Sequence, residues 1–97
     1  MPDPALSVVV PTRNRADYLQ VTLASLSEQA GDVPYEVIVV DDGSTDASAA
    51  LAERMGAEVV RHERSRGPNA ARNAGIDRSA APLIALIDDD VDRKSVV

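Results

Sequence analysis

Apolar residues along the chain follow two alternating patterns. Short runs rich in apolar residues, with the character of strands, occupy 5–10, 35–40, 57–62 and 82–87. Between these runs apolar residues recur at helical spacing, as Leu19, Leu23 and Leu26 do on one face. The spacing and the cap residues predict helices over 16–30, 45–56 and 68–79. Strand and helix therefore alternate along the chain.

This alternation predicts an α/β fold, with a doubly wound, mostly parallel sheet and helices on both faces. In such a sheet the carboxyl ends of the strands share one edge, and ligands bind there. With 97 residues, of which 44% are hydrophobic, the chain is long enough for one small domain or part of one. The core must be aliphatic, because the sequence has no Phe or Trp.

Charge and composition narrow the classes of function. The formal net charge of −6 argues against general nucleic-acid binding. The absence of Cys rules out disulfides and thiolate metal sites. The start of the chain lacks a signal-peptide pattern, and no apolar run approaches the roughly 20 residues of a membrane helix. A cytoplasmic protein without a membrane segment in this chain is therefore expected.

Polar clusters follow all four apolar runs. The first, PTRNR, contains Pro11, Thr12 and Arg13 and fits either a strand end with a helix cap or the wall of a nucleotide pocket. The second, DDGSTD, begins with Asp41 and Asp42. A turn with a helix cap explains its last four residues. The two adjacent carboxylates favour a site that accepts a base N–H or a ribose hydroxyl.

The third cluster, ERSRGPNAARN, places Arg64, Arg66 and Arg72 around the expected start of a helix. Helix N-termini and arginines both attract anions, so phosphate binding is one interpretation and a solvated basic face is the other. Asn73 and Gly75 are poor helix formers in the interior of this helix. Something other than helix propensity has therefore selected them.

The last cluster places Asp88, Asp89 and Asp90 directly after the apolar run PLIALI. Adjacent carboxylates repel one another, so a bound cation would stabilise them. Alternate residues of an extended segment point the same way, and Asp88 and Asp90 can face one site while Asp89 faces another partner. Carboxylates together with substrate phosphates are common ligands of Mg²⁺ or Mn²⁺. The sequence thus predicts a divalent-metal site here.

Together these clusters resemble the nucleotide-binding half of a family 2 glycosyltransferase, a large inverting group with the GT-A fold. The matching stretches are SVVVPTRNRADYLQVTLASL, YEVIVVDDGSTDAS, RGPNAARNAGI and APLIALIDDDV. The resemblance implies a metal-dependent, inverting enzyme that uses a nucleoside diphosphate sugar, a UDP-sugar in particular. The acceptor would be a hydroxyl of a carbohydrate, lipid or polymer, and the cofactor Mn²⁺ or Mg²⁺.

The resemblance also implies roles for residues. Asp88 and Asp90 would hold the metal as part of the D-x-D signature, and Asp42 is favoured for the base. Arg13 stands where relatives often carry an aromatic residue, so a guanidinium would replace a ring in stacking on the base. The residues implied to bind the nucleotide sugar are Pro11, Thr12, Arg13, Asp41, Asp42, Arg72 and Asp89.

The resemblance covers residues 1–91 and ends before the usual acceptor site and catalytic base of the family. Those parts are expected downstream, so the chain by itself is expected to be inactive. Residues 92–97, DRKSVV, depart from the family pattern, and codons that encode them resemble a sequencing adapter. A non-native tail is therefore expected at 92–97.

Two other functions fit part of the sequence. IDDDV also resembles the nucleophile loop of haloacid-dehalogenase-type phosphatases, a motif that normally opens its domain. Asp41 and Asp42 also fit a non-catalytic, receiver-like domain with a later phosphoacceptor. The phosphatase leaves DDGSTD and ARNAG unexplained, and the receiver fits DDGSTD and the triple Asp poorly.

Overall fold

A computed structural model describes residues 4–29 and 33–87. Its elements alternate as the hydrophobic pattern predicts. The strands are β1 (Leu6–Thr12), β2 (Tyr35–Asp42), β3 (Glu58–His62) and β4 (Leu83–Leu86). The helices are α1 (Ala16–Gln29), α2 (Ser48–Arg54) and α3 (Pro68–Arg78).

The four strands form one parallel sheet in the order β3-β2-β1-β4. From β1 the chain moves outward through β2 to β3, and α3 then carries it back to the other side of β1. The direction of winding therefore reverses between β1 and β4. In open α/β sheets this reversal opens a crevice at the carboxyl ends of the strands, where ligands bind.

Alternate residues of the central strands point to opposite faces of the sheet, and a helix layer covers each face. α1 and α2 cover the first face, where the buried residues are Val8, Val10, Leu19, Leu23, Val39 and Ala52. α3 covers the second face, where the buried residues are Val9, Ile38, Val40 and Ala71. The predicted doubly wound α/β fold with an aliphatic core is confirmed.

Two strands extend further than their apolar runs. β1 continues through Pro11 and Thr12, and β2 continues through Asp41 and Asp42. Thr12 pairs with Asp41 across the two strands, and β3 pairs with both acids on the other side. The interpretation of Pro11 as the end of the strand was wrong, because Pro11 lies opposite Val40 inside the parallel ladder. The acidic pair is therefore held by the sheet and not by a loop.

Gly75 of α3 is buried against the sheet, which explains a residue that helix propensity does not. A Cβ atom at this position would overlap the Cγ1 methyl of Val9 and lie 3.1 Å from Cγ2 of Val40. Both valines are fully buried, so neither can move away easily. Glycine is needed here because it lets the helix approach the sheet closely.

β4 lies at one edge of the sheet and carries apolar residues that remain accessible. Leu83 is 65% exposed, Leu86 is 49% exposed and Ile84 is 41% exposed, so the apolar surface extends over both faces of the strand. Within the part of the chain that the structure describes, no helix combines the length and the apolar character needed to cross a bilayer.

Candidate functional site

Three loops leave the carboxyl ends of β1, β2 and β3 and lie along one edge of the sheet, here called the carboxyl rim. The β1 loop comprises residues 13–15, the β2 loop residues 43–47 and the β3 loop residues 63–67. They contain most of the first three polar clusters that the sequence singled out. The structure therefore brings these clusters to one place, as the parallel arrangement predicts.

Hydrogen bonds join the β1 loop to the β2 loop. The backbone N–H of Asn14 donates to Ser44 Oγ at 2.8 Å, and the N–H of Thr45 donates to Asn14 Oδ1 at 2.7 Å. Asp46 Oδ2 accepts from the N–H of Ala16 at 3.3 Å. Asn14 has a φ of 54°, in the left-handed region that asparagine tolerates better than most residues. These contacts hold the β1 loop against the β2 loop at the carboxyl rim.

Asp42 joins β2 to the β3 loop through both of its carboxylate oxygens. Oδ1 accepts from the N–H of Arg66 at 2.8 Å and lies 2.9 Å from His62 Nδ1. Oδ2 accepts from Ser65 Oγ at 2.7 Å and from the N–H of Gly67 at 3.1 Å. Burial raises the pKa of Asp42, but the four hydrogen bonds together outweigh it and lower the pKa from 3.8 to about 2.

Gly43 brings the β3 loop even closer to the end of β2. Its φ of +79° is one that residues with a side chain rarely adopt. A Cβ atom at this position would lie 2.6 Å from the backbone nitrogen of Ser65 and 3.0 Å from the carbonyl carbon of Arg64. Asp42 and Gly43 together thus hold the β3 loop against the end of β2. This contact explains why Asp and Gly are adjacent in DDGSTD.

Asp41 has a different environment, because its side chain points to the opposite face of the sheet. Its Oδ1 accepts from the N–H of Ser44 at 3.0 Å. Its Oδ2 is buried and accepts no hydrogen bond from any residue that the structure describes. Among the described residues Arg61 is the cation beside it, with Nε 3.9 Å from Oδ2 on a side chain that is 63% exposed. One buried carboxylate oxygen at the carboxyl rim therefore retains its capacity to accept a hydrogen bond.

Arginines are concentrated at this edge, beside several acids, although the whole chain carries a net charge of −6. Most arginines of the described residues lie in the rim loops, at the end of β3 or in the first half of α3. These are Arg13, Arg15, Arg61, Arg64, Arg66 and Arg72. Such local concentration attracts an anion independently of the net charge.

The other predicted site residues divide into described and undescribed ones. Pro11 and Thr12 are buried at the end of β1, and Arg13 is exposed beside them. Arg72 lies in α3 and donates from Nη1 to Asn69 Oδ1 at 3.1 Å. The acids 88–90 lie outside the described residues, which end at Ile87, whose N–H donates to Val9 O at 3.0 Å. Within residues 4–29 and 33–87 no cluster of three or more His, Asp or Glu side chains could hold a metal ion.

Sequence reasoning missed three residues that organise this site. Asn14 links two loops, and Ser65 and His62 bind Asp42. The sequence indicates only a helix cap within PTRNR, which contains Asn14, and only a strand at 57–62, which ends at His62. The sequence contains one relevant signal, a single histidine in the strand next to the one that carries the acidic pair. To recognise the contact one needs the register Asp42↔His62, which comes from the structure.

The fold and this rim define a class: α/β proteins that bind a ligand where the winding of a parallel sheet reverses. The sequence assigns the chain more narrowly, because residues 7–91 match the family described as Glycosyl transferase family 2. The chain belongs to this family. It is 33% identical over 93 residues to glycosyltransferase AglE of Haloferax volcanii, an alignment that covers 90% of this chain and 31% of AglE.

Solved structures agree with this assignment. The mannosyltransferase PcManGT of Pyrobaculum calidifontis, in complex with GDP-Man and Mn²⁺, matches with a TM-score of 0.80 and 28% identity over 93% of this chain. Glucosyl-3-phosphoglycerate synthase of Mycobacterium tuberculosis, with Mn²⁺, UDP and glucosyl-3-phosphoglycerate, matches with a TM-score of 0.78 and 28% identity over 92% of this chain. The chain spans 28% of the first protein and 34% of the second.

Proposed function

We propose that the intact protein is a glycosyltransferase that takes its sugar from a nucleoside diphosphate sugar, and that this chain supplies the donor site. The transfer goes to an acceptor hydroxyl, depends on a divalent metal and inverts the anomeric centre. The single observation that carries the proposal is the hydrogen-bonded convergence of three polar loops at the carboxyl rim. The complexes of PcManGT with GDP-Man and of the M. tuberculosis synthase with UDP support it.

The nucleoside is proposed to lie at the ends of β1 and β2, where Pro11, Thr12 and Arg13 form one wall. Thr12 and Asp41 are paired in the sheet, so this wall and the acidic pair have a fixed relative position. Arg13 is exposed and able to lay its planar guanidinium on a base. The proposed nucleoside site therefore combines residues that the sheet holds in place with one exposed side chain that can change its conformation.

The two adjacent acids are proposed to take different parts in nucleoside binding. Each oxygen of Asp42 already accepts two hydrogen bonds, so a base N–H would have to share an occupied oxygen. Asp41 Oδ2 has no such bond among the described residues and lies within a buried setting. The preference for Asp42 as the residue that binds the base stays a prediction, and Asp41 offers the greater free capacity.

The diphosphate is proposed to lie toward the β3 loop. The amino end of α3 begins directly after Gly67, and Arg66 and Arg72 flank it. Backbone N–H groups at a helix start and guanidinium groups both stabilise phosphate oxygens. This placement gives the arginines at the rim a common ligand. The alternative is a solvated basic face that offsets the nearby acids.

Asp88 and Asp90 are proposed to hold Mn²⁺ or Mg²⁺, with Asp89 toward the ribose. The donor set consists of carboxylates, the ligands that hard divalent cations prefer. β4 runs parallel to β1 at the side of the sheet where the winding reverses, and these acids follow it in the sequence. When bound, the ion would stabilise the negative charge that develops on the departing diphosphate. The catalytic base is proposed to lie downstream of residue 91.

Calorimetric titration of the intact protein with UDP and with GDP, in the presence and absence of Mn²⁺, tests the proposal. We expect metal-dependent binding that Asp90→Ala abolishes. Asp41→Asn is expected to weaken binding roughly tenfold or more, because it removes a charged acceptor from a buried position. Asp77→Ala removes an exposed carboxylate of α3 and serves as the matched control, with unchanged affinity.

Two outcomes would contradict the proposal. One is the absence of binding of either nucleotide to a folded protein at millimolar concentration. The other is metal-dependent binding of a phosphoaspartate mimic alone, which would favour a phosphatase or a receiver-like domain instead.

A further inference from the structure

The largely buried side chain of His62 contacts Asp42 at the carboxyl rim. His62 is the last residue of β3, and its Nδ1 lies 2.9 Å from Asp42 Oδ1. The His62 side chain is 10% exposed and that of Asp42 is 7% exposed, so water has little access to the bond. The two residues lie opposite each other in adjacent parallel strands. Their separation is therefore set by the sheet.

The contact determines which nitrogen of His62 carries the proton. A carboxylate that is ionised has acceptor positions only, so Nδ1 must donate. Asp42 is ionised at neutral pH because its hydrogen bonds hold its pKa at about 2. Neutral His62 is consequently held in the tautomer that is protonated at Nδ1.

Among the four donors to Asp42, His62 is the one that belongs to the sheet. The other three, Ser65 Oγ and the N–H groups of Arg66 and Gly67, belong to the β3 loop. The carboxylate of Asp42 thus accepts one hydrogen bond from the sheet and three from the β3 loop. Its orientation decides where the loop lies, and the loop is already in close contact with Gly43.

We propose that His62 is a positioning residue of the donor site, which acts through Asp42 to set the place of the β3 loop and of the amino end of α3. The inference rests on the proposed function in one respect, namely that the group received at this helix start is the diphosphate of the sugar donor. The hydrogen-bonded connection from His62 through Asp42 to the loop is independent of that function.

Three substitutions separate the hydrogen bond from the bulk of the ring. In His62→Asn the amide nitrogen takes the place of Nδ1 and retains the donor, whereas in His62→Gln the amide nitrogen lies one bond further out. His62→Leu fills the space without a donor. In the intact protein we expect the affinity for UDP or GDP with Mn²⁺ to fall roughly tenfold in the Leu and Gln variants, and to recover in the Asn variant.

A second measurement does not involve a nucleotide. In ¹⁵N-detected NMR spectra recorded at a pH where the ring is neutral, the His62 ring, assigned by its absence in His62→Asn, is expected to show the tautomer protonated at Nδ1. Hydrogen exchange of the Arg66 and Gly67 amides is expected to accelerate roughly tenfold in His62→Leu and to stay slow in His62→Asn.

The outcomes separate this inference from the proposed function. If wild type binds neither nucleotide, the proposed function fails, and the tautomer and amide exchange still decide the role of His62. If wild type binds and the Leu and Gln variants bind equally well while folded, the positioning role is refuted. A tautomer protonated at Nε2, or amide exchange that is unchanged in the Leu variant, refutes it as well.

Discussion

The adjacent aspartates at the end of β2 differ in how many hydrogen bonds they accept. Asp42 uses both oxygens to hold the β3 loop, and Asp41 Oδ2 has no hydrogen bond among the described residues. The difference arises because successive side chains of a strand point to opposite faces. On one face Asp42 meets the loop that precedes α3, and on the other Asp41 meets the β2 loop at Ser44. Substitution of Asp42 should therefore affect the stability of the fold, whereas substitution of Asp41 should affect ligand binding.

Asp42 is expected to make stability depend on acid. Its pKa is lowered from 3.8 to about 2 in the folded chain, so its contribution is complete above the unfolded value and disappears as the pH falls toward about 2. The shift corresponds to about 2 kcal/mol. In urea unfolding between about pH 5 and pH 2, the difference in unfolding free energy between wild type and Asp42→Asn should shrink by this amount. A difference that is constant over this range would contradict the assigned hydrogen bonds.

Asn14 combines a left-handed backbone with a side-chain hydrogen bond, and two substitutions separate these effects. Asn14→Gly keeps the φ of 54° accessible but removes the acceptor for the N–H of Thr45, at a cost of about 1 kcal/mol. Asn14→Ala loses both and should cost about 1 kcal/mol more. Unfolding free energies from urea denaturation measure both values. Equal losses in the two variants would mean that the backbone conformation contributes nothing.

At the scale of elements, the site depends on how closely α3 and the strands approach one another. Gly75 lets α3 contact Val9 and Val40 on one face, and Gly43 lets the β3 loop contact the end of β2. Both glycines thus serve a close approach between an element and the sheet. Because α3 begins at the β3 loop, the contact at Gly75 also helps to hold the helix start at the carboxyl rim.

Gly75→Ala is expected to destabilise the chain although alanine has the higher helix propensity. Overlap with the buried Val9 methyl should cost about 3 kcal/mol, the upper end for overpacking, and so exceed the roughly 1 kcal/mol gained in propensity. Asn73→Ala, at an exposed position of the same helix, is the matched control and should be neutral or stabilising. Thermal unfolding measures both.

A double substitution tests the cause of the Gly75 effect. In Val9→Ala with Gly75→Ala the smaller side chain makes room for the new methyl group. The loss in the double variant should therefore be less than the sum of the two single losses. Strict additivity would show that the Gly75 effect does not come from contact with Val9.

At the scale of the whole molecule, the main exposed apolar surface among the described residues is the edge of the sheet formed by β4. Leu83, Ile84 and Leu86 are exposed on an edge strand, and such edges associate with other chains. The 97-residue polypeptide, made alone, is therefore expected to self-associate through this edge.

Leu86→Lys tests this expectation. A charge on the edge strand should shift the isolated chain toward the monomer in light scattering coupled to size-exclusion chromatography. Gln20→Lys adds the same charge at an exposed position of α1 and controls for the change in net charge. If both variants shift the equilibrium equally, net charge and not the edge governs association.

Much of the fold could be predicted because its signals are local. The leucines of α1 and the apolar runs of the strands identify each element within a few residues of its observed ends. The ends themselves were less accurate, since β1 and β2 continue through polar residues whose pairing depends on their neighbours. The four polar clusters were recognisable for the same local reason, whereas the partners of each side chain were not.

Local sequence patterns were enough to predict the succession of strands and helices along the chain, the aliphatic core and the types of polar group that follow each strand. Each of these depends on residues that are close together along the chain. Only the folded chain reveals that both oxygens of Asp42 accept hydrogen bonds, that Asp41 Oδ2 accepts none among the described residues and that His62 faces Asp42. The physical reason is distance along the chain, because the bonds of Asp42 join residues 20 to 25 positions apart and form only when parallel strands set their register.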